Sequence, residues 1–281
     1  MRYRKLTQTI ERKGVGLHSG RDFSLFIEPS GEALSLSAGG THLPLSKLAL
    51  EGTGRGSDLV FPDGKRVRTC EHVLSALAGL GIWHGKLTVM GDFPLEMPGL
   101  DGCSMDLAGE IIEKSIPIES ESEKPLFFTL KYPVRVGDET RFVVALPSSS
   151  FHLTYVIHYD AAHIRTQIFD YLDCFADGAD YLREIAPART FAMRSDIEAL
   201  RAAGLALGGS LDNAILVDET SVETTGGLRF PDEFVRHKIL DLLGDLACLG
   251  CPLLAHVVAV RAGHVLHLQL VERLRAASRL N

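Results

Sequence analysis

Three polar side chains recur at four-residue spacing in the segment FVRHKILDLLGDL (residues 234–246), whose remaining positions are mostly apolar. They are His237, Asp241 and Asp245. Residues at positions i and i+4 of a helix project side by side from one face. In this way one helix supplies two ligands to a metal ion, as in H-x-x-x-H zinc sites. The spacing therefore indicates His237 and Asp241 as a pair of metal ligands.

A catalytic zinc ion takes three protein ligands and keeps a fourth position for water. The segment TCEHVL offers His72 as the third ligand, with Glu71 beside it as a general base. The two helical segments also match each other, because placing His72 over His237 aligns Gly79 with Gly244 and brings the apolar positions into register. The match suggests a duplicated unit. We hypothesise that the two histidines meet at a pseudo-twofold interface.

The spacing alone leaves simpler interpretations open. A His and an Asp at i and i+4 are also typical of a solvated pair on an exposed helix face. A Glu-His pair near the start of a helix also fits the preference for negative charge at a helix N-terminus. The H-E-x-x-H signature of many metalloproteases is absent from the sequence, which argues against that class of enzyme.

Composition is that of a soluble globular protein. The chain has 281 residues, of which 46% are hydrophobic and 23% charged, enough for one large domain or two modest ones. Its formal net charge of −7 argues against a nucleic-acid-binding surface, which requires a basic face. A local basic pocket for an anionic substrate stays compatible with this charge.

Cysteine usage and apolar runs bear on the cellular compartment. The five cysteines are an odd number without framework spacing, which predicts a reduced, cytoplasmic setting. We interpret Cys248 and Cys251 of CLGC as small core residues. The N-terminus lacks the apolar run of a signal peptide. The longest apolar stretch, residues 246–260, is shorter than a bilayer span and contains Pro252 and His256, so we expect no stable membrane insertion.

The first part of the chain reads as strands followed by helix, strand and helix. Alternating runs at residues 23–28 and 59–67 predict strands, the latter with a hairpin turn at Pro62-Asp63-Gly64. Helical spacing of apolar residues predicts helices at residues 69–81 and 104–114, separated by a strand at 86–90.

The polar, acidic segment IPIESESEKP (residues 116–125) is the best candidate linker. Beyond it we predict strands at 126–136 and at RFVVALP, joined by a Gly137-Asp138 turn, and a strand at 151–159. Helices follow near 176–185 and 194–203, then strand AILVD, helix 232–249, strand LLAHVVAV and helix 264–277. We therefore predict an α+β fold of two similar domains, residues 1–120 and 125–281. Each is a sheet with helices packed on one face, and the active site lies between the helix layers.

Several segments together resemble one enzyme family. EHVLSALAGLGI and FVRHKILDLLGDL look like the two signature helices of the zinc-dependent UDP-3-O-acyl-N-acetylglucosamine deacetylases (LpxC). GVGLHSG, ARTFAM, LGGSLDNAIL and the Gly263-His264 pair are also similar to that family, in the family's order and across nearly the whole chain. The resemblance implies removal of the N-acetyl group from a UDP-linked, 3-O-acylated glucosamine, the committed step of lipid A synthesis in Gram-negative bacteria.

The resemblance also implies roles for individual residues. His72, His237 and Asp241 match the family's zinc ligands, in agreement with the spacing argument. Glu71 matches the general base that takes a proton from the attacking water. An amide is a poor electrophile and its amine leaves only when protonated, so the reaction requires a metal, a base and a separate acid.

Three further positions match catalytic residues of the family. His264 matches the histidine that stabilises the oxyanion and protonates the leaving amine. Asp245 matches the carboxylate that holds that histidine. Thr190 matches a hydroxyl near the scissile carbonyl, where a donor aimed at developing negative charge is useful.

Five positions match substrate-binding residues of the family. Lys238 matches a lysine that contacts the polar part of the substrate, and Arg141 falls near a lysine associated with the nucleotide. Phe191 and Tyr159 match aromatic positions that line the nucleotide and sugar site, although core or strand packing explains both equally well. His18 matches a histidine near the site.

Other features concern the acyl chain and departures from the family. The family encloses the fatty acyl chain in an apolar passage, which residues 193–216 would supply here. The sequence departs from the family pattern at Cys70, Cys103, His158 and His267, and the last of these stands where an Asn is expected. None is a proposed ligand or the base, so we expect hydrolysis to be retained.

The sequence leaves two other functions open. One is a non-catalytic binding protein on this fold, which the retained Glu71 argues against. The other is a deacetylase for a different acylated amino sugar. We expect Zn²⁺ as the cofactor, although similar N/O sites also accept iron. We expect a UDP-linked acylated amino sugar as the small-molecule substrate, no nucleic-acid partner, and a monomer.

Overall fold

The computed structural model describes residues 3–172 and 178–278. The strands follow from the alternation of apolar and polar residues in the sequence. Along the strand that contains FSLFIE, the side chains of Phe23, Leu25 and Ile27 are buried while their neighbours face outward. The first part of the chain contains β1 (Arg4–Leu6), β2 (Ile10–Val15), β3 (Asp22–Ala33), β4 (Ser35–Ala38), β5 (Thr41–Pro44), β6 (Ala49–Gly52), β7 (Ser57–Val60), β8 (Arg66–Arg68), α1 (Glu71–Gly79), β9 (His84–Met90), β10 (Leu95–Glu96), α2 (Met105–Glu113) and β11 (Ser115–Pro117).

These strands build three sheets. The largest has the order β2-β3-β9-β4-β5, with β4 and β9 parallel and the other pairs antiparallel. A second has the order β10-β8-β7-β6, and β1 pairs with β11. The predicted turn at Pro62-Asp63-Gly64 joins the antiparallel strands β7 and β8, and the Phe61 amide donates to the carbonyl of Lys65.

The second part repeats the mixture of strands and helices. It contains β12 (Phe128–Thr129), β13 (Val134–Gly137), β14 (Phe142–Pro147), β15 (His152–Tyr159), β16 (Arg165–Leu172), α3 (Ala179–Glu184), β17 (Phe191–Met193), α4 (Arg194–Ala202), β18 (Ile215–Val217), β19 (Val222–Glu223), α5 (Glu233–Ala247), β20 (Leu253–Val260) and α6 (His264–Ser278). The main sheet has the order β13-β14-β20-β15-β16, and β12 pairs with β20. A smaller sheet has the order β17-β18-β19.

Helices α1 and α5 pack directly against each other. α5 also packs against β15 and β16, and α6 packs against α5, β13 and β14. The two helices approach so closely at Gly244 that a Cβ atom there would lie 2.0 Å from the carbonyl oxygen of Glu71. Only glycine permits this approach, and the helix register that it fixes sets His72 of α1 beside His237 of α5.

Most of the predicted elements are confirmed. The fold is α+β, and the predicted helix–strand–helix order occurs as α1-β9-α2 and as α5-β20-α6. The structure contains more sheets than the single one expected in each part. The assignment of two domains, 1–120 and 125–281, stays a prediction. Among the described residues, no helix combines the length and apolar composition required to span a membrane.

Three expectations about elements were incomplete. The predicted strand at 126–136 is two strands, β12 and β13, with Pro133 between them; proline has no N–H to continue a ladder. Strand β16 was not predicted. The helix expected near 176–185 is α3, which begins after its left-handed N-cap Gly178; residues 176 and 177 lie outside the described part of the chain. Cys248 is buried and Cys251 partly buried, both as free thiols.

Candidate metal centre and active site

His72, His237 and Asp241 converge at the contact between α1 and α5. One potential ligand atom from each lies within 4.8 Å of the others. The Oδ1 atom of Asp241 is 3.2 Å from Nε2 of His237 and 3.8 Å from Nε2 of His72. The two imidazole rings meet edge to face, with centroids 5.1 Å apart. The structure thus brings together the three residues that the sequence indicated as metal ligands, and all three are buried.

The chemistry of these three side chains fits a divalent cation. Oδ1 of Asp241 is buried and accepts no hydrogen bond from any described residue, although His237 is close to it. The Nδ1–H of His237 donates to the carbonyl of Ala188 at 3.0 Å, which leaves Nε2 with its lone pair toward Asp241. Burial lowers the pKa of His72 to about 3, so that ring is neutral. An unsatisfied buried carboxylate oxygen that faces two imidazole rings is the arrangement that a metal ion completes.

Asp241 remains ionised in this buried position. Burial favours its neutral form, but the neighbouring His237 and Lys238 hold the pKa of the carboxyl well below its ordinary range. The Nζ atom of Lys238 lies 2.8 Å from Oδ2. Lys238 therefore occupies one carboxylate oxygen and leaves the other directed at the histidines.

Glu71 opens α1 and lines the same cavity as the three candidate ligands. Its Oε2 atom accepts a hydrogen bond of 3.0 Å from the backbone amide of Ser57. Burial raises the pKa of Glu71 to about 8, although His264 opposes the shift. A divalent cation nearby would favour the ionised carboxylate. The side chain is thus held in one orientation with a proton affinity suited to taking up a proton.

His264 lies across the cavity from Glu71, at the start of α6. Its Nδ1–H donates to Oδ2 of Asp245 at 2.8 Å. Burial alone would lower the pKa of His264, but Asp245 and Asp241 raise it to about 9. The imidazolium form is therefore favoured, and Nε2 carries a proton 3.7 Å from Asp241 Oδ2.

Three residues that sequence reasoning did not place in the site complete the surroundings of Asp245. The hydroxyl of Ser57 donates to Oδ1 of Asp245, and the Nδ1–H of His267 donates to Oδ2 at 2.8 Å. The Tyr155 hydroxyl donates to Nε2 of His267 at 2.9 Å. His267, noted in the sequence only as a departure from the family, is fully buried and supports the same carboxylate as His264. Its spacing of three residues from His264 on one helix was the available signal.

Lys238, Phe191 and Tyr159 form one wall of the cavity. The Lys238 ammonium lies 5.6 Å from the centre of the Phe191 ring, and the rings of Phe191 and Tyr159 are 5.5 Å apart. Phe191 also packs edge to face on Phe234 of α5. Phe191 therefore packs against the core residue Phe234 and also lines the cavity.

Comparison with known proteins places the chain in a family. The sequence model of the family described as LpxC, UDP-3-O-acyl N-acetylglycosamine deacetylase, matches residues 3–276. The chain belongs to the LpxC family. As a member it is a deacetylase and hence a hydrolase.

Individual relatives are similar in sequence to this chain along most of their length. The UDP-3-O-acyl-N-acetylglucosamine deacetylase of Myxococcus xanthus is 40% identical over 275 residues, covering 96% of this chain and 85% of the relative. The enzymes of the same name from Syntrophus aciditrophicus and Psychrobacter arcticus are each 36% identical. They cover 96% and 98% of this chain, and 85% of each relative.

The cavity of this LpxC family member has a volume of about 310 Å³ and two chemically different walls. The candidate ligands, Glu71 and His264 are among the lining residues. Apolar residues from 193–216, the segment expected to form an acyl passage, also line it: Met193, Ile197, Leu200, Leu211 and Leu216.

His18 and Thr190 also line the cavity. Nε2–H of His18 donates to the carbonyl of Arg55 at 3.1 Å. Thr190 is fixed through its backbone, since its amide donates to Gly102 and its carbonyl accepts from Ile215, each at 2.8 Å. Both residues thus line the same cavity as the candidate ligands, and their roles toward the substrate stay predictions.

Arg141 lies elsewhere. It is an exposed residue in the turn between β13 and β14, where its backbone amide donates to Asp138 at 2.8 Å. Among the described residues it is not one of those lining the cavity. Its contact with a nucleotide stays a prediction that the observed geometry does not support.

Proposed function

We propose that this LpxC family member uses a zinc ion held by His72, His237 and Asp241 to hydrolyse the N-acetyl amide of UDP-3-O-acyl-N-acetylglucosamine. The products are acetate and the free amine, in the committed step of lipid A biosynthesis. The observation that carries the proposal is the buried Oδ1 of Asp241, which has no hydrogen-bond donor among the described residues and faces the imidazoles of His72 and His237, with Glu71 and His264 lining the same cavity.

Zinc is the proposed metal because two nitrogens and one carboxylate oxygen form the donor set of a catalytic zinc site. When bound, zinc polarises the amide carbonyl and makes water a stronger acid. The Nδ1–H bond from His237 to Ala188 fixes the tautomer, and Lys238 fixes the orientation of Asp241.

Glu71 is the proposed general base. The amide of Ser57 holds its carboxylate in place, and a divalent cation at the centre would favour the ionised carboxylate, which is the form that accepts a proton. It takes a proton from the attacking water as the oxygen bonds to the acetyl carbon.

His264 is the proposed general acid. Asp245 raises its pKa to about 9, so the ring is protonated at neutral pH. The proton on Nε2 passes to the amide nitrogen as the C–N bond breaks, which converts a poor leaving group into an amine. Asp245 keeps the ring oriented, and the Thr190 hydroxyl is the proposed donor to the developing oxyanion.

The remaining cavity fits the rest of the substrate. We propose that the acyl chain lies along the apolar wall of residues 193–216. Lys238, Phe191, Tyr159 and His18 contact the sugar and its diphosphate, a task that suits a cation and aromatic faces. The monomeric state and the cytoplasmic location are proposed from the sequence alone.

A turnover assay tests this function. Purified protein with one equivalent of zinc is given UDP-3-O-acyl-N-acetylglucosamine or the same sugar nucleotide without its acyl chain, and acetate is measured. We expect rapid release from the acylated substrate and much slower release from the other. Equal rates on both would overturn the proposed substrate. Absence of release from either, with metal bound, would instead indicate a binding protein.

A further inference from the structure

A second group of histidine and aspartate side chains lies on the outer face of the main sheet of the second part. Its members come from three adjacent strands: His256 on β20, His152 and Thr154 on β15, and Asp170 on β16. His152 stands directly across from His256, and Thr154 directly across from Asp170. We refer to His152, His256 and Asp170 as the outer cluster.

The alternation of the strands sets this face apart from the candidate active site. On β15 the neighbours Leu153 and Tyr155 are buried, and α5 packs on β15 and β16 from that side. Side chains two residues apart share a face, so His152 and Thr154 point away from α5. The outer cluster is therefore separated from the candidate metal centre by the thickness of the sheet.

The three side chains converge closely. Nε2 of His152 lies 2.7 Å from Oδ1 of Asp170. The Thr154 hydroxyl donates to the same oxygen at 2.6 Å and accepts from Nε2 of His256 at 2.8 Å. The two imidazole rings stack at 3.9 Å with an interplanar angle of 6°. Nε2 of His152 thus contacts the carboxylate oxygen directly, and Nε2 of His256 is linked to it through the Thr154 hydroxyl. A ligand atom from each of the three residues lies within 4.8 Å of the others.

We propose that the outer cluster binds a divalent transition-metal ion such as Zn²⁺ or Ni²⁺ through His152, His256 and Asp170. Two imidazoles and a carboxylate match these ions, whereas Mg²⁺ and Ca²⁺ prefer all-oxygen sites. Residues paired across neighbouring strands have Cβ atoms about 4.5–5.5 Å apart, a separation from which two side chains reach one ion. Water fills the remaining positions, since the Asp170 side chain is 63% exposed.

The protonation states at neutral pH favour this binding. Burial and the adjacent His152 lower the pKa of His256, so its ring is neutral. The hydrogen bonds from Thr154 and His152 lower the pKa of Asp170, so its carboxyl is ionised. A neutral imidazole carries one proton on either nitrogen. Before binding, Nε2–H of His256 donates to Thr154. On binding, that proton is exchanged with water and Nδ1 carries the remaining ring proton, so that the Nε2 lone pair is given to the metal in place of the present hydrogen bond.

An ion bound here joins the hairpin of β15 and β16 to β20, which lies far from them in sequence. Because the ion binds the folded sheet and not the separated strands, binding raises thermal stability, and the increase grows with metal concentration. The site is independent of the proposed hydrolysis, since none of its residues lines the active-site cavity.

Metal stoichiometry tests the proposal. Protein carrying one equivalent of zinc is dialysed against micromolar Zn²⁺, and bound metal is measured by elemental analysis. We expect two equivalents in the wild type and one in His152→Ala, His256→Ala and Asp170→Asn. The control is His158→Ala, an exposed histidine of the same strand face outside the outer cluster, which should keep two.

Thermal unfolding and activity complete the test. Added Zn²⁺ should raise the melting temperature of the wild type and His158→Ala, and leave His256→Ala unmoved. Acetate release at one equivalent of zinc should stay within about twofold of wild type in every variant, because hydrolysis does not use this face. An equal metal content in the wild type and in both histidine variants would refute the outer cluster as a metal site. These results do not depend on whether the proposed hydrolysis is correct.

Discussion

The candidate metal centre and the outer cluster contain the same residue types, two histidines and one aspartate, in opposite surroundings. Exposures of 4%, 2% and 2% leave His72, His237 and Asp241 almost without solvent. Asp170 of the outer cluster is mostly exposed. The buried Asp241 keeps an oxygen without a hydrogen bond among the described residues, whereas the equivalent oxygen of Asp170 already accepts from two donors.

Burial is therefore the main physical difference between the candidate metal centre and the outer cluster. A carboxylate oxygen in the interior is shielded from bulk solvent, so its attraction to an ion is stronger than that of an exposed carboxylate. In the outer cluster an ion displaces both water and existing hydrogen bonds. We expect the buried centre to bind a metal ion more tightly than the outer cluster. Substitutions at the two sites test the difference in their roles.

The largest effect is expected from His237→Ala. Removing a buried ligand should abolish metal binding at the centre. Loss of the base alone should lower the rate of acetate release by about 10²–10⁴-fold relative to wild type, and loss of the metal should lower it further. Elemental analysis and the turnover assay measure both. His256→Ala is the matched control in the outer cluster and should keep full activity. Normal turnover in His237→Ala would remove this residue from the ligand set.

Glu71→Gln should come next. The amide oxygen of Gln can still accept the hydrogen bond from Ser57, so the fold and the metal content should be unchanged. Loss of the base should lower kcat by about 10²–10⁴-fold. Retained activity at wild-type zinc content would contradict the assignment of Glu71, whereas loss of zinc as well would show that the carboxylate helps to hold the metal.

Asp245→Asn should change the pH dependence of the reaction. The carboxylate charge helps to raise the pKa of His264 to about 9, so its removal should lower that pKa. A general acid acts only when protonated, and the rate falls as the pH rises through its pKa. The basic limb of the kcat profile should therefore move to lower pH. An unshifted limb would indicate that another group donates the proton. Asp170→Asn, which changes the other cluster's carboxylate, should leave the profile in place.

The smallest effect is expected from His267→Asn, which restores the residue type expected from the family. The side-chain amide can still donate toward Asp245, but the buried hydroxyl of Tyr155 loses its acceptor. An unpaired buried hydroxyl costs about 1–3 kcal/mol of unfolding free energy. Denaturant unfolding should show this loss, while kcat changes less than about tenfold. A kcat loss as large as that of Asp245→Asn would make His267 part of the proton-transfer machinery.

Local sequence predicted the helices well because each carries its own periodic signal. The apolar spacing around Leu77 and the polar ladder of Asp241 and Asp245 located α1 and α5 to within two residues. The internal match of Gly79 with Gly244 also suggested that the two helices pair, and Gly244 is where they approach most closely.

Local sequence patterns did not predict the contacts between strands that are distant in sequence. Ser57 and Tyr155 reach the active site from β7 and β15, and nothing in their neighbouring residues indicates that role. The outer cluster depends on sheet register, which pairs His152 with His256 across a gap of about a hundred residues. Assignment of the substrate-contact residues rests on the family, since an aromatic such as Phe191 has the same pattern in a core and in a pocket.

The division of the proposed ligands between α1 and α5 has a consequence for synthesis of the chain. The ribosome makes Glu71 and His72 early, but His237 and Asp241 emerge only when most of the protein has been translated. A chain that ends before α5 holds one proposed ligand of three, and it cannot retain the ion. Metal content at the buried centre therefore reports the fraction of a preparation in which α5 was made and both helices docked.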